Sequence, residues 1–196
     1  MEKMQDAGAD CFHIDVMDGT FVPNFGCGVD VIKAVKACST IPMDIHLMIQ
    51  NPARHIKLFC DFAPQYVTIH PETDDHATRT LAEIEAMGVL PGIAINPGTS
   101  VDSIKELLPL AKMVTVMSVN PGFSGQKFLD FTMDKIKTLA SLRDKYGYNL
   151  CVDGSIDIEK IKTLHPMGVS NFVMGSGLFN EDYANILQAA HQVVSR

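Results

Sequence analysis

The 196-residue chain is 46% hydrophobic and carries 16 basic against 23 acidic side chains, a net charge of −7. That supplies one substantial core, and an acidic balance without any basic run or aromatic-interleaved patch argues against a nucleic-acid partner. No apolar stretch approaches the roughly 20 residues of a bilayer-spanning helix, and the opening Met-Glu-Lys-Met-Gln-Asp lacks a signal-peptide apolar region, so no membrane partner is expected. Five scattered cysteines (Cys11, Cys27, Cys38, Cys60, Cys151) with no Cys-x-x-Cys pair fit reduced thiols in the cytoplasm.

Taken in chain order, the first strand is expected at Cys11–Val16, inside His13-Ile-Asp-Val-Met-Asp-Gly19. Strand side chains alternate faces, so His13 and Asp15 point the same way. A helical pattern at Val29–Cys38 follows, then a strand at Met43–Met48 that brings His46. Next come a helix at Pro52–Phe62, a strand at Tyr66–Ile69, a helix at Asp75–Met87 and a strand at Gly92–Ile95. The pattern continues with a helix at Val101–Leu110, a strand at Met113–Ser118 and a helix at Phe128–Lys145. A strand at Leu150–Asp153 ends on Asp153 against a glycine. A helix at Asp157–Leu164, a strand at Asn171–Met174 and a helix at Asp182–Val194 complete the chain. Asp157 and Asp182 read as helix caps, Gly88 and Gly168 as helix stops.

Repeated βα units imply a parallel sheet covered on both faces, and this many in one chain of 196 residues favours a closed (β/α) barrel, one α/β domain over 1–196. Active sites of such barrels lie at the C-terminal ends of the strands, where His13, Asp15, His46 and Asp153 fall. Two histidines and two aspartates from three strands suit one divalent transition metal: zinc, ferrous iron, manganese or cobalt. Glycine-rich turns mark the same rim: Asn120-Pro-Gly-Phe-Ser-Gly-Gln126, Gly154-Ser155 and Gly175-Ser-Gly177. Small residues let backbone N–H groups approach an anion, so a phosphorylated small molecule is the expected ligand. Each residue alone has a plainer reading. A histidine on an apolar strand is commonly a hydrogen-bonded core residue, and methionines are commonly core filler. Co-occurrence on one rim is what favours a site; His55, His70, His76, His165 and His191 read as structural or solvent-facing.

Long motifs in matching order make the chain resemble the ribulose-phosphate 3-epimerase family from Ala7 to about Asn180. They are His13-Ile-Asp-Val-Met-Asp-Gly19 with Phe21-Val-Pro-Asn24, Asp44-Ile-His-Leu-Met48, Met117-Ser-Val-Asn-Pro-Gly-Phe-Ser-Gly-Gln126 and Val152-Asp-Gly154. The resemblance implies a TIM barrel of the ribulose-phosphate-binding type and a divalent metal held by His13, Asp15, His46 and Asp153. It implies Asp15 and Asp153 as the acid/base pair. Substrate and phosphate contacts are implied for Gly122, Phe123, Ser124, Gly125, Gly154, Ser155, Gly175 and Ser176, with His46 and Asp153 reaching the substrate as well. Met17, Met48 and Met117 would line the reacting centre. The implied reaction is 3-epimerisation of a phosphorylated ketose through an enediolate, by a homo-oligomer.

Two departures from the family pattern shape the expectations. The family begins with a serine-bearing strand and a complete first helix. This chain starts where that helix would be ending, so a barrel incomplete at its N-terminus is expected, with seven strands and open edges. Ser155 stands where the pentose-phosphate enzymes usually have a second glycine. Together with His70-Pro-Glu-Thr73 and Ser176-Gly-Leu-Phe-Asn180, it looks closer to an allulose-6-phosphate 3-epimerase branch, whereas Met117-Ser-Val-Asn120 looks like the ribulose branch. D-ribulose 5-phosphate, converted to D-xylulose 5-phosphate, is the favoured substrate, D-allulose 6-phosphate the alternative, and an inactive sugar-phosphate-binding barrel a third reading. A related barrel decarboxylase would need an Asp-x-Lys-x-x-Asp strand, and Met17 stands where that lysine would be.

Overall fold

A computed structural model describes residues 1–178 and 182–195. All seven expected strands form: β1 (Phe12–Met17), β2 (Met43–Met48), β3 (Tyr66–Ile69), β4 (Leu90–Ile95), β5 (Met113–Met117), β6 (Asn149–Asp153) and β7 (Asn171–Val173). They make one parallel sheet in chain order. Laid flat, β1 and β6 would stand about 24 Å apart at the ~4.8 Å spacing of neighbouring strands. Instead, ligand atoms of Asp15 on β1 and Asp153 on β6 lie within 4.8 Å of each other. The sheet is therefore curled as in a TIM barrel, and Asn149 of β6 reaches across the interior to donate to the Tyr66 hydroxyl of β3 at 3.0 Å.

Alternation divides every strand between two environments. Phe12, Ile14 and Val16 of β1 face outward, with Ile45, Leu47, Val67, Ile69, Ile93, Ile95, Val114, Val116, Leu150 and Val152 from the other strands. Against them pack Ile32 and Val35 of α2 (Val29–Cys38), Ile56 and Phe59 of α3 (Ile56–Cys60), and Leu81 and Ile84 of α4 (Ala77–Ala86). This sheet-to-helix layer is the main core. The inward side is mixed: Tyr66, Met113 and Cys151 form a small apolar floor with Val173. Above that floor the inward positions of β1, β2 and β6 are polar.

The helices follow the sequence pattern with three corrections. The expected helix Pro52–Phe62 is a 3-10 turn, Pro52–Arg54, followed by α3, because Asn51 enters it in the left-handed region at φ 51° and His55 leaves it at φ −121°. The expected helix Val101–Leu110 is 3-10 over Asp102–Leu107. The helix expected from Phe128 begins only at Thr132 as α5 (Thr132–Tyr146), since the Leu129 N–H is taken by the Ser118 carbonyl at the end of β5. Asp157 caps α6 (Ile158–Leu164) by accepting from the Lys160 N–H. Asp182 sits at the cap position of α7 (Tyr183–Val194), where its Oδ1 accepts from Asn185 Nδ2. Gly88 turns the chain after α4 at φ 80°, as expected, whereas Gly168 ends a 3-10 turn, His165–Met167, that follows α6. A short helix α1 (Glu2–Asp6) precedes β1, where the resemblance implies the end of the family's first helix. Among the described residues no helix is long and apolar enough to cross a membrane.

Gly92 on β4 has no room for a side chain, because a Cβ there would lie 2.3 Å from Thr68 Oγ1 on β3. Gly92→Ala is expected to destabilise the protein by about 1–3 kcal/mol through overpacking, read as a lowered urea midpoint. Gly98→Ala, which points into open space, should change stability by no more than about 0.5 kcal/mol. Equal midpoints for the two variants would contradict the packing of β3 against β4.

Candidate metal and proton-transfer site

The register of three strands assembles the site. In the β1–β2 pair, His13 stands opposite Asp44 and Asp15 opposite His46. In the β5–β6 pair, Met117 stands opposite Asp153. Curling then brings β6 back to β1, and one ligand atom each from His13, Asp15, His46 and Asp153 falls within 4.8 Å of the others. His13 Nε2 lies 3.2 Å from Asp15 Oδ1 and 3.7 Å from Asp153 Oδ2. His46 Nδ1 lies 3.1 Å from Asp15 Oδ1 and 3.8 Å from Asp153 Oδ2.

The environment pulls these groups apart. Burial opposes a charge on His13, but Asp44 and Asp15 outweigh it and hold the imidazole well above its usual range. Burial also works against an ionised Asp15, yet the neighbouring imidazoles of His13 and His46 pull that carboxyl well below its usual range. Asp153 goes the other way: burial raises it, and neighbouring carboxylates add to the rise. One carboxylate is thus strongly anionic and the other reluctant to ionise. A bound cation adds its own charge to this balance and favours the anion at both.

Two observations show that the residues fit a metal ion. His13 Nδ1 is 2.7 Å from Asp44 Oδ2, and Asp44 Oδ1 accepts from Thr68 Oγ1 at 3.1 Å. With one proton on Nδ1 toward Asp44, His13 turns Nε2 inward, where it is buried without a hydrogen-bond partner and faces two carboxylates. That position calls for positive charge, which either a second ring proton or a cation bound in its place supplies. The donor set itself, two imidazoles and two carboxylates, suits zinc, ferrous iron, manganese or cobalt.

Above these groups opens a cleft of about 270 Å³. Asp15 and Asp153 line it, as do Met17, Met48 and Met117 from the ends of β1, β2 and β5. Its other wall is made of Gly122, Phe123, Ser124 and Gly125, then Gly154 and Ser155, then Gly175 and Ser176. His13 and His46 are not among the residues that line the cleft, and His46 is completely buried. Gly154 has φ 121°, and a Cβ there would meet Val119 Cγ2 at 2.6 Å, so only glycine lets the chain pass. Ser155 follows in the left-handed region at φ 51°, and its hydroxyl donates to the Gln126 carbonyl, tying the loop after β6 to the loop after β5. Of the motif Ser176-Gly-Leu-Phe-Asn180, Phe179 and Asn180 lie outside the described residues.

Several participants were not singled out from the sequence. Asn24, in the loop after β1, donates to the Gly122 carbonyl at 2.7 Å and lines the cleft. Asp18 accepts from the N–H groups of Thr20, Phe21 and Gln50, joining the loops after β1 and β2. Asp44 and Thr68 stand behind His13. His70, expected to be structural or solvent-facing, is completely buried one residue beyond β3, with its Nε2 2.9 Å from His46 Nε2. Burial depresses its pKa to about 4. The available signal was parity, since Asp44 shares a strand face with His46, and Thr68 and His70 share one face of β3.

Relatives place the chain. A family model described as the ribulose-phosphate 3-epimerase family matches residues 1–179. A ribulose-phosphate 3-epimerase of Helicobacter pylori is 42% identical over 175 residues, covering 88% of this chain and 81% of that protein. Proteins of the same name from Aquifex aeolicus (39% over 174 residues, 88% and 78% covered) and Bacillus subtilis (36% over 184 residues, 92% and 85% covered) are also similar. Among solved structures, 3-keto-L-gulonate-6-phosphate decarboxylase from Vibrio cholerae superposes with a TM-score of 0.74 at 13% identity, over 99% of this chain and 88% of that one. The 3-hexulose-6-phosphate synthase from Salmonella typhimurium gives 0.70 at 16%, over 95% and 99%. At such identities the two structures speak for the barrel fold alone. The sequence relatives and the family match go further, and the chain belongs to the ribulose-phosphate 3-epimerase family of carbohydrate isomerases.

Proposed function

We propose that this chain interconverts D-ribulose 5-phosphate and D-xylulose 5-phosphate, passing the carbon-3 proton between Asp15 and Asp153. One observation carries the reading: two carboxylates from separate strands, Asp15 on β1 and Asp153 on β6, face one cleft. Carboxyl groups on two sides of a bound substrate can serve as base and acid in turn.

An ionised Asp15 removes the proton at carbon 3, next to the ketone, and becomes a carboxylic acid. The bonding pair moves into the bond between carbons 2 and 3, and the carbonyl becomes an enediolate oxygen. Asp153 delivers its proton to the opposite face of carbon 3 and is left ionised; the reverse reaction exchanges the roles. A divalent ion of zinc, iron, manganese or cobalt held by His13, Asp15, His46 and Asp153 would supply Lewis-acid stabilisation of the enediolate charge. Met17, Met48 and Met117 bring no competing proton donor to this part of the cleft. Among the described residues no lysine or arginine lines the cleft. The phosphate would therefore meet backbone N–H groups and hydroxyls of Gly122–Gly125, Gly154–Ser155 and Gly175–Ser176.

Ribulose 5-phosphate is preferred over allulose 6-phosphate because the relatives above are all named for the pentulose phosphate. His70-Pro-Glu-Thr73, one of the features that pointed to the hexulose branch, lies behind His46 and away from the cleft wall. We also read the chain as one barrel domain in a reducing, cytoplasmic compartment, in keeping with five unpaired cysteines.

Metal content, turnover and hydrogen exchange test this reading. The purified protein should carry about one transition-metal ion per chain by elemental analysis, and chelation should abolish turnover of ribulose 5-phosphate. His46→Ala should lose most of the metal; full occupancy in that variant would remove His46 from the ligand set. In Asp15→Asn and Asp153→Asn, epimerisation should fall at least the roughly 10²–10⁴-fold typical of losing an acid/base group. In deuterated water, each metal-loaded variant should exchange the carbon-3 hydrogen of only one epimer, with the preference reversed between the two. Exchange of the same epimer by both would show that one base serves both faces.

A further inference from the structure

His46 has no water-facing atom, so both of its ring nitrogens are committed inside the protein. Nδ1 is at hydrogen-bond distance from Asp15 Oδ1, 3.1 Å, and 3.8 Å from Asp153 Oδ2, and Nε2 sits 2.9 Å from His70 Nε2. The two rings stack with centroids 5.0 Å apart, and Phe21 covers the His70 ring at 4.8 Å. Two imidazole nitrogens at hydrogen-bond distance share a single proton, since one must donate and the other accept. The direction of that bond decides which form of His46 the site receives.

The far side of His70 favours one direction, and Asp15 opposes it until a cation takes His46 Nδ1, because without one that nitrogen can donate to Asp15 Oδ1. His70 Nδ1 is buried, makes no other hydrogen bond, and lies 3.5 Å from Glu72 Oε2, at the outer limit of hydrogen bonding. Glu72 is itself fixed: Oε1 accepts from the Asn96 N–H at 2.9 Å and from the Thr99 hydroxyl at 2.5 Å. The turn carrying Asn96 is pinned by Lys135 of α5, which donates to the Asn96 and Pro97 carbonyls at 2.7 and 2.9 Å. If His70 carried its proton on Nε2, a bare Nδ1 would face the Glu72 carboxylate in a dry interior, lone pair against anion. With the proton on Nδ1, that contact becomes attractive. His70 Nε2 then accepts from His46 Nε2–H, and His46 Nδ1 is left as a lone pair aimed between the two aspartates, an arrangement that a cation among them would make attractive.

We propose that Glu72 and His70 form a positioning relay that fixes the proton of His46 on Nε2 and so presents its Nδ1 to the metal. The relay rests on the reading of His13, Asp15, His46 and Asp153 as a metal site. It parallels, through one more side chain, what Asp44 does for His13. Outer partners of this kind typically contribute 10–100-fold to metal affinity.

Glu72→Gln is the discriminating variant, because it keeps the shape and reverses the proton order. The glutamine oxygen is needed by the Asn96 N–H and Thr99, so its amide N–H groups turn toward His70 Nδ1. His70 then donates through Nε2, and the His46 proton moves to Nδ1, where the metal should bind. His70→Gln is the conservative rescue, since its amide oxygen can accept from His46 while its amide nitrogen faces Glu72. Long-range ¹H–¹⁵N spectra of histidine-labelled, zinc-loaded protein read the ring protons directly. We expect His46 to be protonated at Nε2 and His70 at Nδ1 in the zinc-loaded unmutated chain. Zinc affinity, measured by chelator competition, should fall about 10–100-fold in Glu72→Gln at an unchanged apo thermal midpoint, while His70→Gln stays much closer to the unmutated chain. A His70 proton on Nε2 in the zinc-loaded unmutated chain would overturn the relay. Absence of zinc binding by the unmutated chain would overturn the metal reading and the relay with it, whereas zinc binding unaffected by Glu72→Gln would overturn the relay alone.

Discussion

In the register between β1 and β2, Asp15 is level with His46 and His13 with Asp44, and everything at the rim depends on that pairing. A slip of one residue would turn His13, Asp15 and Met17 outward into the layer of Ile32, Ile56 and Leu81, and Ile14 and Val16 into the cleft. The outward face forbids it. Phe12, Ile14 and Val16 are buried against the helices, and replacing them there with an imidazole and a carboxylate would strand polar groups without partners. Burial on one face of the sheet thus sets the position of chemistry on the other.

The second constraint is curvature. β1 and β6 are joined through four intervening strands, yet their aspartates share one small volume, so the geometry of the site reports on the whole sheet. Inward residues accommodate this closure. Gly92 leaves room for Thr68, Thr68 donates to Asp44, and Asp44 orients His13. A contact that looks like packing on β3 and β4 therefore ends in the orientation of a ligand on β1. The loops obey a similar economy: Asn24 holds the Gly122 carbonyl and Ser155 holds the Gln126 carbonyl, so the walls of the cleft brace one another.

The strands and the four ligand candidates were legible in the sequence because alternation is a local property and His13-Ile-Asp15 displays it within three residues. The alternation also placed β1 within one residue of its observed ends. Helix identity was harder where tertiary hydrogen bonds decide it. The residues around Leu129 have a helical pattern, but the Leu129 N–H belongs to Ser118, and the segment Asp102–Leu107 winds more tightly than its apolar spacing suggests. The outer partners were the least visible. Nothing within the Tyr66–Thr73 stretch says that His70 will meet His46, because that contact exists only after β2 and β3 pair and the sheet curls. A buried histidine whose neighbours come from other strands reads, in one dimension, as an ordinary core residue.

The central claim is that strand register and curvature place His13 Nε2, Asp15, His46 Nδ1 and Asp153 around a single ion at the floor of the cleft. Anomalous diffraction from crystals grown with zinc or cobalt tests this most directly. The account predicts one strong peak at metal–ligand distances, about 2.0–2.2 Å, from those four side chains, with His46 Nε2 still directed at His70. A peak held by other residues, or one that leaves Asp15 or Asp153 beyond reach of the ion, would contradict it.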